Sequence, residues 1–242
     1  FVLNGTKSFV TNGGQADSYV MSTVAHDGGV GDEGTFSLVV VDAATDGLSW
    51  QDPWHGLGMR ANSSRTVRVQ DAWVPRDCLL GEHGDQLWYI FEVVAPYFLM
   101  AMAGTYIGVA AECVDEAREH LGGRRHAHTG ELLGASPLLA HRLGTLWVRL
   151  ESARQLVFAA ARSGDAGGPD ALVPVLACKA AASQAAVDIA NEAMTLAGGI
   201  AYRENSRLAR MLRDARASHV MSPTTDLLLT WVGRALLKMP LL

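Results

Sequence analysis

The sequence has few cysteines and no block of basic residues, and both absences narrow the range of functions. Three cysteines occur in 242 residues, at Cys78, Cys113 and Cys178, and no two of them have the CxxC spacing. This argues against a disulfide framework and a metal site, and it favours a reducing, cytoplasmic location. The formal net charge is −5, with both signs interspersed, so nucleic acid is not expected as a main partner.

A leader and a long apolar run are also missing from the pattern. Nothing resembles a signal peptide or an uninterrupted apolar span of 18 residues, so membrane insertion is not expected. The sequence begins at Phe1 rather than at a methionine, and residues 1–3 already have the character of a strand before the turn at Asn4-Gly5. We therefore expect that the whole protein has a segment upstream of Phe1.

The hydrophobic pattern changes its period near residue 86. Residues 1–85 contain short β-branched and aromatic runs separated by glycine and Asx turns, which predicts a mostly antiparallel β-sandwich or barrel. Residues 86–242 contain helical patterns joined by short loops, which predicts an antiparallel bundle of four or five helices. The predicted fold class is therefore α+β with two domains, 1–85 and 86–242.

Turn and cap signals place the elements within these two halves. Ser136-Pro137 is typical of a helix start, and the pairs Gly122-Gly123 and Gly198-Gly199 are typical of helix ends. Loops at 27–34 and 163–170 are the weak candidates for linkers. Strands are predicted at 19–24, 36–41 and 66–70 and around Val10, and helices at 87–120, 137–162, 173–196, 206–219 and 225–237.

Short motifs occur in a fixed order along the whole chain. They are Leu3-Asn-Gly-Thr-Lys-Ser-Phe-Val-Thr-Asn12, Ala16-Asp17, Gly56-Leu-Gly-Met-Arg60, Val74-Pro75, Leu80-Gly81, Gly198-Gly199 and Arg213-Asp-Ala215. Together they resemble the acyl-CoA dehydrogenase family of flavoproteins, in its middle β-domain and C-terminal helical domain. The family's N-terminal helical domain and the first part of its sandwich have no counterpart here.

The resemblance implies an FAD-dependent enzyme that oxidises an acyl thioester carried by CoA or by a carrier protein. It implies electron transfer to an acceptor protein or to oxygen, and a homodimer or homotetramer in which subunits share the cofactor contacts. A hetero-oligomer with a homologue is an alternative assembly.

One group of implied FAD contacts lies on the subunit's own side of the cofactor. Phe9 would lie against the flavin ring in place of the family's tryptophan, and the Thr11 hydroxyl would bond near flavin N5. Thr224 and Asp226 fall where the family contacts FAD. From spacing alone, an ordinary strand with Phe9 and Thr11 on one face is the better explanation, and the family resemblance reverses this preference.

A second group of implied contacts reaches the FAD of a neighbouring subunit. It consists of Arg124, Thr195 (glutamine in the family), Gly198 and Gly199. A forked, permanently charged arginine suits a pyrophosphate, and glycine lets backbone N–H groups approach an anion closely. The alternatives are a solvated arginine at a helix end and an ordinary helix C-cap.

The residue expected to remove the substrate α-proton is missing from both family positions. One position, before the family's Gly-Thr pair, holds Ser222 followed by Pro223, and the other, on the first bundle helix, holds Phe98. A weakly acidic α-proton requires a desolvated carboxylate, and a serine hydroxyl is a poor acceptor without a paired base. His219 is close in sequence, but Pro223 disfavours a helix at Ser222, and a helix-end histidine explains His219 as well.

Three hypotheses follow for the function. The first is an FAD-dependent oxidoreductase of acyl thioesters whose base is supplied elsewhere. The second is a flavin-dependent monooxygenase on the same scaffold, and the third is a non-catalytic subunit that partners a homologue. The apolar residues Tyr97, Phe98 and Met221 form the predicted substrate pocket in each case.

Overall fold

The computed structural model describes residues 1–26, 35–84, 88–168 and 171–241. These form two compact units, Phe1–Ala95 and Pro96–Leu242. The division falls beyond the predicted boundary at 85/86, at the point where a π-helical segment, Tyr89–Val94, is followed by the first long α-helix. The linker candidate 27–34 lies outside the described residues.

The first unit is a sandwich of two antiparallel three-stranded sheets. One sheet has the strand order β1-β5-β4 and the other the order β2-β3-β6. Residues from both sheets meet in one core, which contains Tyr19, Met21, Val39, Val41, Val67, Val69, Ala72 and Val74. The strands are β1 (Val2–Val10), β2 (Ser18–Val24), β3 (Phe36–Asp42), β4 (Leu48–Trp50), β5 (Arg65–Trp73) and β6 (Leu79–Leu80).

The predicted antiparallel β-sandwich is therefore confirmed, although the sequence pattern did not predict strands β4 and β6. β4 and β6 contain only three and two residues, which is too short for a period of two to show. β4 is defined by its pairing with β5, where Leu48 faces Val69.

The second unit is a helical bundle, as predicted. Its helices are α1 (Ala95–Gly123), α2 (Pro137–Ala166), α3 (Leu172–Ala197), α4 (Arg207–Val220) and α5 (Thr225–Leu236). α3 is central, since it packs against α2, α4 and α5. Its buried face is rich in alanine, and such small side chains allow the helix axes to approach closely; these are Ala180, Ala182, Ala185, Ala186, Ala190 and Ala193.

The starts of α2, α4 and α5 and the end of α3 lie within a residue of the predicted positions. α2 instead runs to Ala166, four residues past its predicted end and into the predicted loop 163–170. Ser136 precedes the Pro137 start of α2, and α3 ends at Gly198. The Ser206 hydroxyl caps α4 by accepting from Ala209 N at 3.0 Å. Thr224 caps α5 by accepting from Leu227 N at 3.3 Å.

The expectation that the chain has no long apolar span needs correction. Two helical stretches, Tyr89–Gly123 and Leu172–Ile200, are long and apolar enough to cross a membrane by length and composition. The core helix of a soluble domain passes the same test. In the second stretch, 56% of the most apolar window is buried within the protein, as expected for the central helix of a bundle.

Candidate functional site

Phe9 is presented to the outside by an irregularity near the end of β1. The pairing of β1 with β5 shifts its register between Lys7 and Val10, and Phe9 has a left-handed φ of 59°. A bulky residue rarely adopts this conformation, and such outliers cluster at ligand sites. The ring is 71% exposed and makes an edge contact with Trp54, with a centroid distance of 6.2 Å.

Thr11 does not lie in a strand, as the sequence pattern suggested, but in the turn that follows β1. The buried Tyr19 fixes this turn. Its hydroxyl donates to Asn12 O at 3.0 Å and accepts from Gly14 N at 2.9 Å and from Ala16 N at 3.2 Å. The sequence pattern placed Tyr19 only at the start of the strand predicted at 19–24, because a strand pattern does not show which groups a tyrosine hydroxyl will contact.

Replacing Tyr19 with phenylalanine is expected to lower the free energy of unfolding by about 1–3 kcal/mol, because two backbone N–H groups and one carbonyl lose their shared partner. Urea denaturation of both proteins measures this difference. Tyr202→Phe is the matched control, since Tyr202 is 81% exposed and its change should have little effect. Equal losses in the two variants would show that the Tyr19 hydroxyl does not fix the turn.

The second predicted group of residues lies at two helix ends in the helical unit. Arg124 follows α1 and is exposed, and its charge adds to burial in lowering the pKa of His120. Thr195 is exposed near the end of α3, and its hydroxyl donates to Asn191 O at 3.0 Å. This bond turns the Thr195 proton back onto its own helix, away from any external acceptor.

The two glycines at the end of α3 have different reasons to be glycine. Gly198 has φ 68° and ψ −155°, a region in which side chains are strongly disfavoured. Gly199 has no left-handed φ, and a Cβ built on it would meet nothing within 4 Å. Neither backbone strain nor packing within the described residues therefore explains a glycine at 199, and its backbone is open to an external group.

Ser222 lies in the segment between α4, which ends at Val220, and α5, which begins at Thr225. Its side chain is exposed, and the Ser222–Pro223 peptide bond is cis. His219 belongs to the last turn of α4. Among the described residues no hydrogen bond joins His219 to Ser222, and His219 Nε2 is buried without a partner. The two side chains do not form a base–hydroxyl pair in this structure.

A buried lysine that the sequence analysis did not select supports this segment. Lys179 of α3 is 0% exposed. Its ammonium group donates to the carbonyl oxygens of Ser218 at 2.8 Å, Met221 at 3.4 Å and Pro223 at 2.9 Å. No carboxylate among the described residues forms an ion pair with it, and burial lowers its pKa from 10.5 to about 8.

Met221 is also contacted by a residue of α1. The Tyr106 hydroxyl donates to Met221 Sδ at 3.2 Å. Burial, assisted by the charge of Asp214, raises the pKa of Tyr106 to about 12, so the phenol is a neutral donor at physiological pH. The other two predicted pocket residues, Tyr97 and Phe98, are exposed on the first turn of α1.

The lowered pKa of Lys179 predicts a pH dependence of stability. Between pH 8 and 10.5 the unfolded chain keeps a proton that the native protein releases, so the free energy of unfolding rises with pH in this window. Below pH 8 both states are protonated and this slope vanishes. Denaturation of the wild type and of Lys179→Met at a series of pH values isolates the effect, because other groups cancel in the difference. A difference that stays constant from pH 7 to 10 would contradict the shifted pKa.

Comparison with known proteins places both units in one family. Residues 1–72 match the acyl-CoA dehydrogenase middle domain, and residues 99–237 match the acyl-CoA dehydrogenase C-terminal domain. The chain belongs to the acyl-CoA dehydrogenase family. The family resemblance carried by the sequence motifs is thereby confirmed.

Relatives and solved structures agree with this assignment. The short-chain-specific acyl-CoA dehydrogenase of Megasphaera elsdenii is 29% identical over 98% of this chain and 61% of its own length. The structure of butyryl-CoA dehydrogenase from the same organism has a TM-score of 0.89 at 27% identity, with 98% of this chain and 60% of that one covered. The prolyl acyl carrier protein oxidase AnaB has a TM-score of 0.87 at 26% identity, with 97% and 61% covered. The chain thus spans about three fifths of the length of the proteins it matches.

The predicted site residues of this acyl-CoA dehydrogenase family member are distributed over both units. Within the helical unit, Met221 contacts Tyr106. Ser222 lies in a segment fixed by Lys179. Within the β unit, Phe9 lies at the irregular end of β1 and Thr11 lies in the turn that follows this strand. Neither Ser222 nor Phe98 supplies a carboxylate. Among the described residues, no three potential metal ligands lie together.

Proposed function

We propose that this chain is the middle and C-terminal part of an FAD-dependent oxidoreductase that acts on an acyl thioester. The observation that carries the proposal is the family match over both units, which includes the positions implied to contact the cofactor. The proposal places the enzyme in the cytoplasm as a homodimer or homotetramer, and its electron acceptor is a protein or oxygen.

The residues present fit an anionic, aromatic cofactor such as FAD. Phe9 offers an exposed ring for a flavin to lie against, and the turn fixed by Tyr19 presents the Thr11 hydroxyl. Arg124 is an exposed cation, and the backbone at Gly199 is open to an anion. Thr224 and Asp226 stand at the start of α5, where Thr224 already serves as a helix cap. When bound, FAD would accept a hydride from the substrate β-carbon.

For removal of the substrate α-proton, the chain supplies a well-fixed segment but no base at either family position. Ser222 stands in a segment held by Lys179 and Tyr106, but its hydroxyl forms no hydrogen bond with a basic side chain in the described part of the chain. Abstraction of the α-proton therefore needs a group outside this chain's two family positions, and the part of the protein upstream of Phe1 is the proposed source. Tyr97, Phe98 and Met221 offer apolar surface for the acyl chain.

A second candidate, a flavin-dependent monooxygenase on the same scaffold, is favoured by one specific observation. The site segment is polar but not acidic, with Ser222 and His219 where the family's base is expected. Such an enzyme would couple oxygen uptake to the presence of substrate.

Two assays on the full-length protein test both candidates. Its visible spectrum is recorded as purified and again after anaerobic mixing with a panel of acyl-CoA and acyl carrier protein thioesters. Bleaching of the flavin absorbance supports the oxidoreductase, and oxygen uptake coupled to substrate with reduced flavin supports the second candidate. A coloured protein inert in both assays that co-purifies with an active homologue would instead identify a non-catalytic subunit. A colourless monomer in excess FAD would refute the proposal.

A further inference from the structure

Lys179 lies buried in the centre of the helical unit, where an uncompensated charge is costly. We propose that Lys179 is a positioning residue, whose ammonium group fixes the segment Ser218–Pro223 and thereby determines where residue 222 is presented. This role rests on the proposed function, in which residue 222 occupies the family's base position. Lys179 itself touches neither the substrate nor the cofactor.

The number and placement of the contacts support this role. A lysine ammonium has three donors and no acceptor, and Lys179 has three carbonyl partners, all within one six-residue segment. The Met221 and Pro223 carbonyls flank Ser222 on both sides. The main chain of residue 222 is therefore tied to α3 immediately before and immediately after the side chain that it carries.

The anchor of this contact is itself rigid. α3 is the helix against which α2, α4 and α5 all pack. The Ser218 hydroxyl donates to Ser183 O of α3 at 3.3 Å, one helical turn beyond Lys179. The Ser183 hydroxyl, by contrast, bonds within α3, to Lys179 O at 2.7 Å. The Lys179 ammonium group and the Ser218 hydroxyl therefore form the two polar contacts that join the end of α4 to the same face of the central helix.

Packing alone does not explain a lysine at this position. An unbranched apolar side chain such as methionine fills a similar volume without the cost of removing an ammonium group from water. That cost is visible in the lowered pKa, and no carboxylate among the described residues offsets it. A simpler role is a helix C-cap, since lysines commonly bind the last carbonyls of a helix. The contact with Pro223, beyond the end of α4, is not explained by capping.

The test uses full-length, FAD-loaded protein and three variants: Lys179→Met, Lys179→Ala and, as a matched control, Ser183→Ala. Ser183 is equally buried on the same helix, but its hydroxyl bonds only within α3. In Lys179→Met, kcat for thioester-dependent flavin reduction is expected to fall about 10–100-fold with KM changed less than about threefold, because a small displacement of Met221 and Ser222, which position the substrate, has this effect. Peptides covering 216–226 are expected to exchange amide hydrogens at least tenfold faster, with other peptides unchanged.

Chemical rescue separates positioning from a general loss of structure. Ethylammonium added to Lys179→Ala should restore part of kcat, whereas tetramethylammonium, which has no N–H donor, should not. Unchanged kcat and unchanged exchange at 216–226 in Lys179→Met would overturn the inference. So would faster exchange throughout the helical unit without rescue, because Lys179 would then be a structural cap only.

Failure of the proposed function would look different. If no thioester or oxygen assay detects activity even in the wild type, the exchange experiment still decides whether Lys179 fixes the segment. In that case local exchange at 216–226 supports the positioning role and the wild-type assays refute the enzyme.

Discussion

Where the wild type reduces its flavin only slowly with a saturating straight-chain acyl-CoA, replacing Ser222 with glutamate is expected to raise that rate about 10²–10⁴-fold, the range that a positioned general base contributes. The side chain at 222 is exposed, so the longer residue meets no packed core. Its main chain is fixed by Lys179, which contacts only backbone oxygens and does not depend on the residue at 222. Anaerobic stopped-flow absorbance of the full-length protein measures the rate.

Ser222→Gln is the matched control for this gain. It has the size of glutamate without a proton-accepting carboxylate, so it should stay at the wild-type rate. The glutamate variant should also gain rate as pH rises through the pKa of the new carboxyl group and then level off. Equal rates for the glutamate and glutamine variants would show that residue 222 does not face the substrate α-carbon.

Replacing Gly199 with valine is expected to weaken FAD binding by about 2–4 kcal/mol, or roughly 30- to 1000-fold, while leaving the fold intact. The added Cβ meets no atom of the described chain within 4 Å, and Gly199 needs no left-handed backbone. The side chain would instead occupy the space through which backbone N–H groups approach the cofactor of a neighbouring subunit. Fluorescence titration of the apoprotein with FAD measures the loss.

Gly164→Val controls for the general effect of valine at an open, exposed glycine near a helix end. Gly164 also has no neighbour within 4 Å of a built Cβ, and the proposed function gives it no contact with FAD. The two variants should have similar melting temperatures and differ only in FAD affinity. An unchanged affinity in Gly199→Val would remove Gly199 from the proposed cofactor site.

The elements that the sequence predicted best are those with local signals. Gly198 marks the end of α3 because its backbone conformation strongly disfavours a side chain, and Ser206 and Thr224 mark helix starts because their hydroxyls accept from the first turn. These interactions involve residues three or four apart, so a local pattern is enough to detect them. The β-sandwich followed by mutually packed helices was predicted for the same reason, from periodicity in each half.

The features that the sequence did not predict depend on partners far along the chain. Lys179 bonds carbonyls about 40 residues away in sequence, at 218–223, and an isolated lysine in an alanine-rich helix gives no sign of this. Thr11 was assigned to a strand because the alternation continues through it, whereas a bulge at Phe9 and the Tyr19 hydroxyl turn the chain. β4 exists only through its pairing with β5, which no short run of residues encodes.

Because Lys179 contacts the main chain of the loop, the conformation of the loop does not depend on the side chain at 222. Since the lysine contacts main-chain oxygens, replacement of residue 222 alone can exchange a hydroxyl, a carboxylate or an amide without removing these contacts. A scaffold built in this way can acquire or lose a reactive group through one amino-acid replacement. Serine is then one of several residues that this supported loop can carry at position 222.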